Sequence, residues 1–216
     1  MKNIYVLLDT ETADMNKVYD FGFIIFDKNG NILFERNYLN VDIFYNDKLM
    51  TSAYYAWKKP LYNTIENLVY TTTKGMIIDF FKTCEKFNVT HILAYNLGFD
   101  IRALTYTAKR YCKMEVSFEK FILIDVMRSA IETILNTNKY RTFCRKNNEY
   151  TPKGYYKTSA ESVYRYINNE YDFIESHTAL SDCYCEYTIF MKFLKQKKMI
   201  SKGIKNNLWK VIQNKK

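Results

Sequence analysis

The stretch Ile4-Tyr5-Val6-Leu7-Leu8-Asp9-Thr10-Glu11-Thr12 decides how the rest of the chain is read. Five consecutive apolar residues, two of them β-branched, run straight into two carboxylates that are one residue apart. A β-branched and apolar run of this length, ending at an acid, is the pattern of a β-strand. On a strand, residues i and i+2 share a face with Cα atoms about 6–7 Å apart. Asp9 and Glu11 at the end of this strand therefore converge. Either they share a hard cation, since unneutralised they repel, or they stand at a solvated strand edge.

Further strands are expected at residues 20–26 and 32–39, joined through Asp27-Lys28-Asn29-Gly30-Asn31, which has the turn chemistry of a hairpin. Residues 40–70 lack periodicity and read as loops with short helical pieces. Ile77, Phe80, Phe81, Cys84 and Phe87 recur at helical spacing over 74–87. A buried strand at 90–95 leads to a helix at about 99–111, and a strand at 121–124 to a helix over 126–135. Past an irregular polar stretch, Ser159 has the position of a helix N-cap. The last strong helix starts near Thr178, with Cys183, Tyr187, Phe190 and Leu194 on one stripe. Ile200, Ile204, Leu208 and Val211 suggest a final basic helix. Three strands with a hairpin, then alternating helix and strand, then helices, predict an α/β sheet that is antiparallel on one side and parallel on the other.

Composition narrows the function classes. With 216 residues, 48% hydrophobic and 25% charged, and only 6 Gly and 2 Pro, the chain is one domain with a proper core, not a disordered or low-complexity one. No apolar run approaches a membrane span, and the first eight residues are too short for a signal peptide. A cytoplasmic protein with no membrane segment is expected. Cys84, Cys112, Cys144, Cys183 and Cys185 contain no Cys-x-x-Cys pair, so they read as reduced thiols and not as a zinc site. The net charge of +9 is concentrated at the end of the chain. After Glu186 there are nine lysines and no acid, whereas the preceding residues balance at 23 basic and 23 acidic. Such a segment suits a polyanion partner or forms a solvated lysine face.

Two more acidic groups lie at predicted element ends. Tyr95-Asn96-Leu97-Gly98-Phe99-Asp100 closes a parallel strand and opens a helix, where functional groups of α/β sheets gather. Ser176-His177-Thr178-Ala179-Leu180-Ser181-Asp182 puts a histidine before a helix and an acid about 7–8 Å further along its axis. Each acid alone also fits a helix N-terminus, and His177 an ordinary loop. His91 has no such acidic setting and reads as structural.

Taken in order, Asp-x-Glu, Asn-x-x-x-Asp and His-x-Ala-x-x-Asp resemble the motifs of the DEDDh 3′→5′ exonuclease superfamily. The likeness runs over roughly residues 4–195. It includes Gly22 to Gly30 as a second strand and turn, Leu123-Ile124-Asp125-Val126-Met127 as a later strand, and Ala160-Glu161-Ser162-Val163-Tyr164 as the helix before the third motif. The chain departs from the family in Thr12-Ala13-Asp14 and in having Tyr95 before Asn96. The resemblance implies a ribonuclease H-like mixed sheet of five strands over residues 1–198, with a basic helical extension at 199–216.

It also implies two divalent cations, Mg²⁺ or Mn²⁺, held by Asp9, Glu11, Asp100 and Asp182, and His177 as general base. Backbone around Thr10 and Thr12, with Asn96 and Phe99, would meet the 3′-terminal nucleotide, although Phe99 also suits a core position. Residues 192–216, and less strongly 141–157, would hold the upstream strand. The expected substrate is a single-stranded DNA 3′ end. RNA trimming is the enzymatic alternative, and a non-catalytic nucleic-acid-binding module the other. A separate polymerase or other replication protein is the partner a proofreading role would need, and a homodimer is compatible with the family.

Overall fold

The computed structural model describes residues 3–14, 16–195 and 202–204. The opening stretch forms the long strand β1 (Ile4–Ala13), with Val6, Leu7 and Leu8 fully buried. It continues through the two carboxylates instead of stopping at Asp9. β2 (Lys17–Asp27) and β3 (Ile32–Asn40) follow. Asp27 receives the backbone N–H groups of Asn29 and Asn31 in the turn between them, where Gly30 takes a φ of 90°. The unpatterned region contains two single-turn helices, α1 (Val41–Phe44) and α2 (Asp47–Met50), then a 3₁₀ segment, Ala56–Thr64, and an unforeseen strand, β4 (Leu68–Thr71). Next come α3 (Thr73–Lys86), β5 (His91–Ala94), α4 (Leu97–Cys112) and β6 (Ile122–Asp125). α5 (Val126–Ala130) continues into a π turn, Ile131–Leu135, and α6 (Asn138–Asn147), α7 (Ala160–Asn168) and α8 (Ala179–Lys195) complete the described chain.

The sheet has six strands in the order β4-β3-β2-β1-β5-β6, one more than the expected five. β1, β2 and β3 are antiparallel, and β5 and β6 add parallel to β1. β4, parallel to β3, is the extra one. It is a four-residue edge strand without a fully buried residue, so its sequence shows neither alternation nor an apolar run. α6 was likewise hidden in a polar stretch. It buries only Tyr140, Phe143 and Cys144, and its start is capped by Thr137, which accepts from the Tyr140 N–H.

β1 sorts the molecule into two layers. Tyr5 and Leu7 pack under α5 and α8, and Ile4, Val6 and Leu8 under α3 and α4. The alternation carries on to Asp9 and Glu11, which therefore face the α8 layer, while Thr10 faces the other. Where a basic helix was expected near the C-terminus, residues 202–204 are not helical, and Gly203 forms a single bridge to Ile124 of β6 with a φ of 86°. The Gly203 N–H donates to the Leu123 carbonyl at 2.7 Å, and Arg128 binds the Lys202 carbonyl at 3.1 Å. An edge strand offers unpaired backbone groups, and a few residues of chain satisfy them more directly than a helix does. The remainder of the expected helix lies outside the described residues. Four of the cysteines are buried and Cys112 is half-buried, all as free thiols. No helix among the described residues is long and apolar enough to cross a membrane.

Gly22 lets α8 start where it does. A Cβ on Gly22 would lie 2.3 Å from the Leu180 nitrogen and 2.5 Å from the Ala179 carbonyl carbon, both rigid backbone. Gly22→Ala is expected to destabilise the protein by about 3 kcal/mol in urea unfolding, because the helix start must move. Gly154→Ala, where φ is 78° and the space is open, should cost only about 1–2 kcal/mol of backbone strain.

Candidate active site

The site is built where β1, α4 and α8 meet. Asp9 pairs across the sheet with Gly22, and Glu11 with Asp20 before a register shift in β1. α8 begins on this patch of β2. Asp20 is buried, and its Oδ2 accepts the Ala179 N–H at 2.9 Å and the Tyr62 hydroxyl at 2.7 Å. A carboxylate there satisfies an orphan N–H and the positive end of the helix. Asp182 then falls in the first turn of α8, on the buried side facing Glu11.

His177 precedes the helix with a left-handed φ of 53°. Its Nδ1 lies 3.8 Å from Asp182 Oδ2 and 4.0 Å from Glu175 Oε2. Ligand atoms of Glu11, His177 and Asp182 all lie within 4.8 Å of one another. Asp100 enters from the start of α4, buried, with its Oδ1 accepting the Thr10 hydroxyl at 2.8 Å.

Electrostatics tie the four expected carboxylates together. Burial foremost, then the charges of Glu186, Asp100, Asp182 and Glu11, raise the Asp9 carboxyl well above its usual range. Burial and then Asp182 push Glu11 up to about 9, and burial and then Glu175 push Asp182 up to about 8. Asp100 is pushed to about 7, chiefly by burial, against the Thr10 hydrogen bond. So many buried acids repel unless protons or cations neutralise them. The donor set, hard carboxylate oxygens plus one imidazole, fits a divalent cation such as Mg²⁺ or Mn²⁺. Asp182 supports this fit with a buried Oδ1 that has no hydrogen-bond partner among the described residues. Asp9, Glu11, Asp100 and Asp182 could hold such ions between them. His177 is displaced the other way, below its ordinary value, by burial and then by the Lys58 charge.

The expected substrate contacts are distributed differently. Thr10 and Thr12 line an open cleft of about 320 Å³ with Glu11, Ser52, Tyr54, Tyr55 and Phe99. Phe99 is therefore a wall residue and not a core one. The Thr10 hydroxyl is committed to Asp100. Asn96 takes a left-handed φ of 70°, a conformation Asn tolerates. Its own side chain is exposed and does not cap α4. Lys157 and Arg165 are drawn onto buried Glu149, so part of the 141–157 basic cluster is internally paired. Lys195 stands about 20 Å from Asp182 along the α8 axis. His91 packs on Tyr5 at 4.7 Å and meets the Thr90 hydroxyl at 2.8 Å, a structural setting as expected.

Several residues escaped the sequence reading. Glu186 is buried four residues after Asp182 and accepts the Tyr95 N–H at 2.9 Å. An acid one turn on from Asp182, on the buried side of an apolar helix, was the signal for it. Asp20 and Glu175 had none beyond being acids near motifs. Tyr54, Tyr55 and Lys58 come from the unpatterned 40–70 region, and only the folded chain brings them to the site.

No protein-family model matches this sequence, and no curated protein matches it. Solved structures do. Exonuclease X in complex with 5′ overhanging duplex DNA is 15% identical, with 89% of this chain and 92% of that one covered and a TM-score of 0.53. The nuclease domain of 3′hExo, a DEDDh family member bound to rAMP, is 8% identical, with 94% and 98% covered and a TM-score of 0.65. Cell-death related nuclease 4 is 14% identical, with 93% and 66% covered and a TM-score of 0.53. The chain thus has the ribonuclease H-like α/β fold that these nucleases share.

The raised carboxyls set a direction for stability. Glu11, ordinarily near 4.5 and here about 9, binds a proton in the folded chain over a range where the unfolded chain has released it. Stability must fall as pH rises through that window. The melting temperature of the metal-free protein is expected to drop between about pH 5 and about pH 9. Glu186→Gln should flatten the drop, and Mn²⁺ should reverse it most strongly at the alkaline end. Differential scanning fluorimetry reads all three, and a flat profile insensitive to Mn²⁺ would contradict the account.

Proposed function

We propose that this protein is a DEDDh exonuclease, a divalent-metal-dependent hydrolase that removes nucleotides from the 3′ end of single-stranded DNA. The observation that carries this reading is the convergence of Glu11, His177 and Asp182 within 4.8 Å of one another, with the charges of Asp100, Asp182 and Glu11 all bearing on Asp9. The motif order and the fold shared with nucleases support it.

In this reading Asp9, Glu11, Asp100 and Asp182 hold two divalent cations. Such ions neutralise the phosphodiester and stabilise the leaving oxygen when bound. His177 takes the proton of the attacking water. Burial and Lys58 favour its neutral form, which has a lone pair to accept that proton. The charge of the resulting imidazolium is stabilised by Asp182 and Glu175, whose oxygens stand 3.8 and 4.0 Å from Nδ1. Asp100, fixed by Thr10, keeps its place without moving when substrate arrives.

The cleft bounded by Tyr54, Tyr55 and Phe99 receives the terminal nucleotide. Aromatic walls stack on any base, and stacking requires a base that is unpaired, hence a single strand. Lysines distant from the cations hold the upstream phosphates, so binding weakens with salt.

The test uses 5′-labelled DNA and RNA strands of equal sequence with Mg²⁺, Mn²⁺ or EDTA. A metal-dependent ladder that shortens from the 3′ end is expected, faster on DNA. Asp9→Ala should abolish it, and His177→Ala should lower kcat by about 10²–10⁴-fold. Phe99→Ala should act mainly on KM. Faster cleavage of RNA would reassign the substrate. Intact binding without cleavage in any metal would make the chain a nucleic-acid-binding module.

A further inference from the structure

Lys58 is in an unusual place for a lysine. It is 8% exposed, and among the described residues it forms no ion pair. Its ammonium instead hydrogen-bonds the Ser176 carbonyl and lies 5.0 Å from the centre of the Tyr55 ring and 5.1 Å from that of Trp57. A buried ammonium is kept only where several groups compensate it. Here the compensation comes from two aromatic faces, one peptide carbonyl and the neighbouring carboxyl groups of Glu11, Glu175 and Asp182.

The carbonyl it grips belongs to the residue just before His177. Three residues before Lys58, Tyr55 stacks flat on the His177 imidazole, with centroids 4.1 Å apart and planes within 13°. One short segment therefore holds the histidine by its backbone and by its ring. His177 needs holding. Its left-handed φ is uncommon outside glycine and persists only where the surroundings over-determine it.

We infer that Lys58 and Tyr55 form a clamp that positions His177 for proton transfer, Lys58 fixing the peptide at Ser176 and Tyr55 fixing the plane of the imidazole. Both are positioning residues acting through His177, and the catalytic consequence rests on the proposed role of His177 as general base. Tyr55 also lines the cleft, beside Tyr54 and Phe99. A base stacked in that cleft would press on the ring that orients the histidine, so occupancy of the cleft and readiness of the base are linked. Lys58 does not line the cleft, which makes it the cleaner probe.

The experiment has a kinetic arm and a spectroscopic arm, both on the full chain. Lys58→Met is expected to lower kcat on single-stranded DNA by about thirtyfold with KM within about twofold, since a small misplacement of a reacting group costs up to about 10²-fold. Lys58→Arg, which keeps a donor cation, should restore most of that rate. In a His177→Ala background Lys58→Met should cost nothing further, because the clamp has lost its object. An equal loss in both backgrounds, or a change confined to KM, overturns the inference.

The chain has two histidines, so imidazole ¹H–¹³C spectra are readily assigned with His177→Ala. Tyr55→Leu should abolish an upfield ring-current shift of the His177 signal. Lys58→Met should broaden or split that signal and leave His91 unchanged, which also reports an intact fold. A His177 signal identical in all variants overturns the clamp whatever the activity. A responsive signal in a protein without nuclease activity leaves the clamp standing and removes the proposed function.

Discussion

The start of α8 lies against bare backbone at Gly22, and the site depends on that contact. No Cβ separates β2 from the Ala179–Leu180 peptide. On the same strand Asp20 takes the Ala179 N–H in its carboxylate. Steric absence and a charged cap together determine where the helix begins, and the helix pitch then determines that Asp182 faces Glu11 and that Glu186 follows one turn later. His177, ahead of the first turn, is committed by the same contact.

The arrangement is costly in electrostatic terms. Asp9, Glu11, Asp100, Asp182 and Glu186 are carboxylates raised by burial and by one another. A fold selected for stability alone would not gather them. Gathered over a core that is otherwise apolar, they repel one another unless protons or cations neutralise them. Hydrogen bonds confine the geometry without neutralising it. Thr10 holds Asp100, and the Tyr95 N–H holds Glu186.

The segment between β3 and β4 supplies what the motifs lack. Its short helices and 3₁₀ stretch pack through Ile43, Phe44, Met50 and Tyr62 against Tyr19 and Leu39. That small core anchors a rim on which Tyr54 and Trp57 remain 85% and 74% exposed. The rim reaches the loop before α8 through Lys58 and Tyr55, so a region without regular pattern closes the site from the side opposite α4.

The division between sequence and tertiary structure follows from the range of the forces involved. β1, the hairpin, α3, α4, α7 and α8 were legible because periodicity, turn residues and caps such as Ser159 act within a few residues. Asp9, Glu11, Asp100, His177 and Asp182 could be singled out because each lies in a short motif whose spacing is local, although β1 runs on past Asp9 and Glu11. β4 and α6 were not, since a short edge strand and a narrow buried stripe leave little pattern in the sequence. Nor was the bridge from Gly203 to Ile124, which the free edge of β6 receives. Glu186, Asp20, Tyr55 and Lys58 acquire their meaning from partners 90 or more residues away in sequence, and in the case of Lys58 and Ser176 the separation is 118. By itself the sequence determined the order of the elements and the acids at their ends. Only the packing of α8 and the 40–65 segment onto the sheet decided which charges share one volume and what grips the histidine, because burial and Coulomb interaction depend on distance in space and not along the chain.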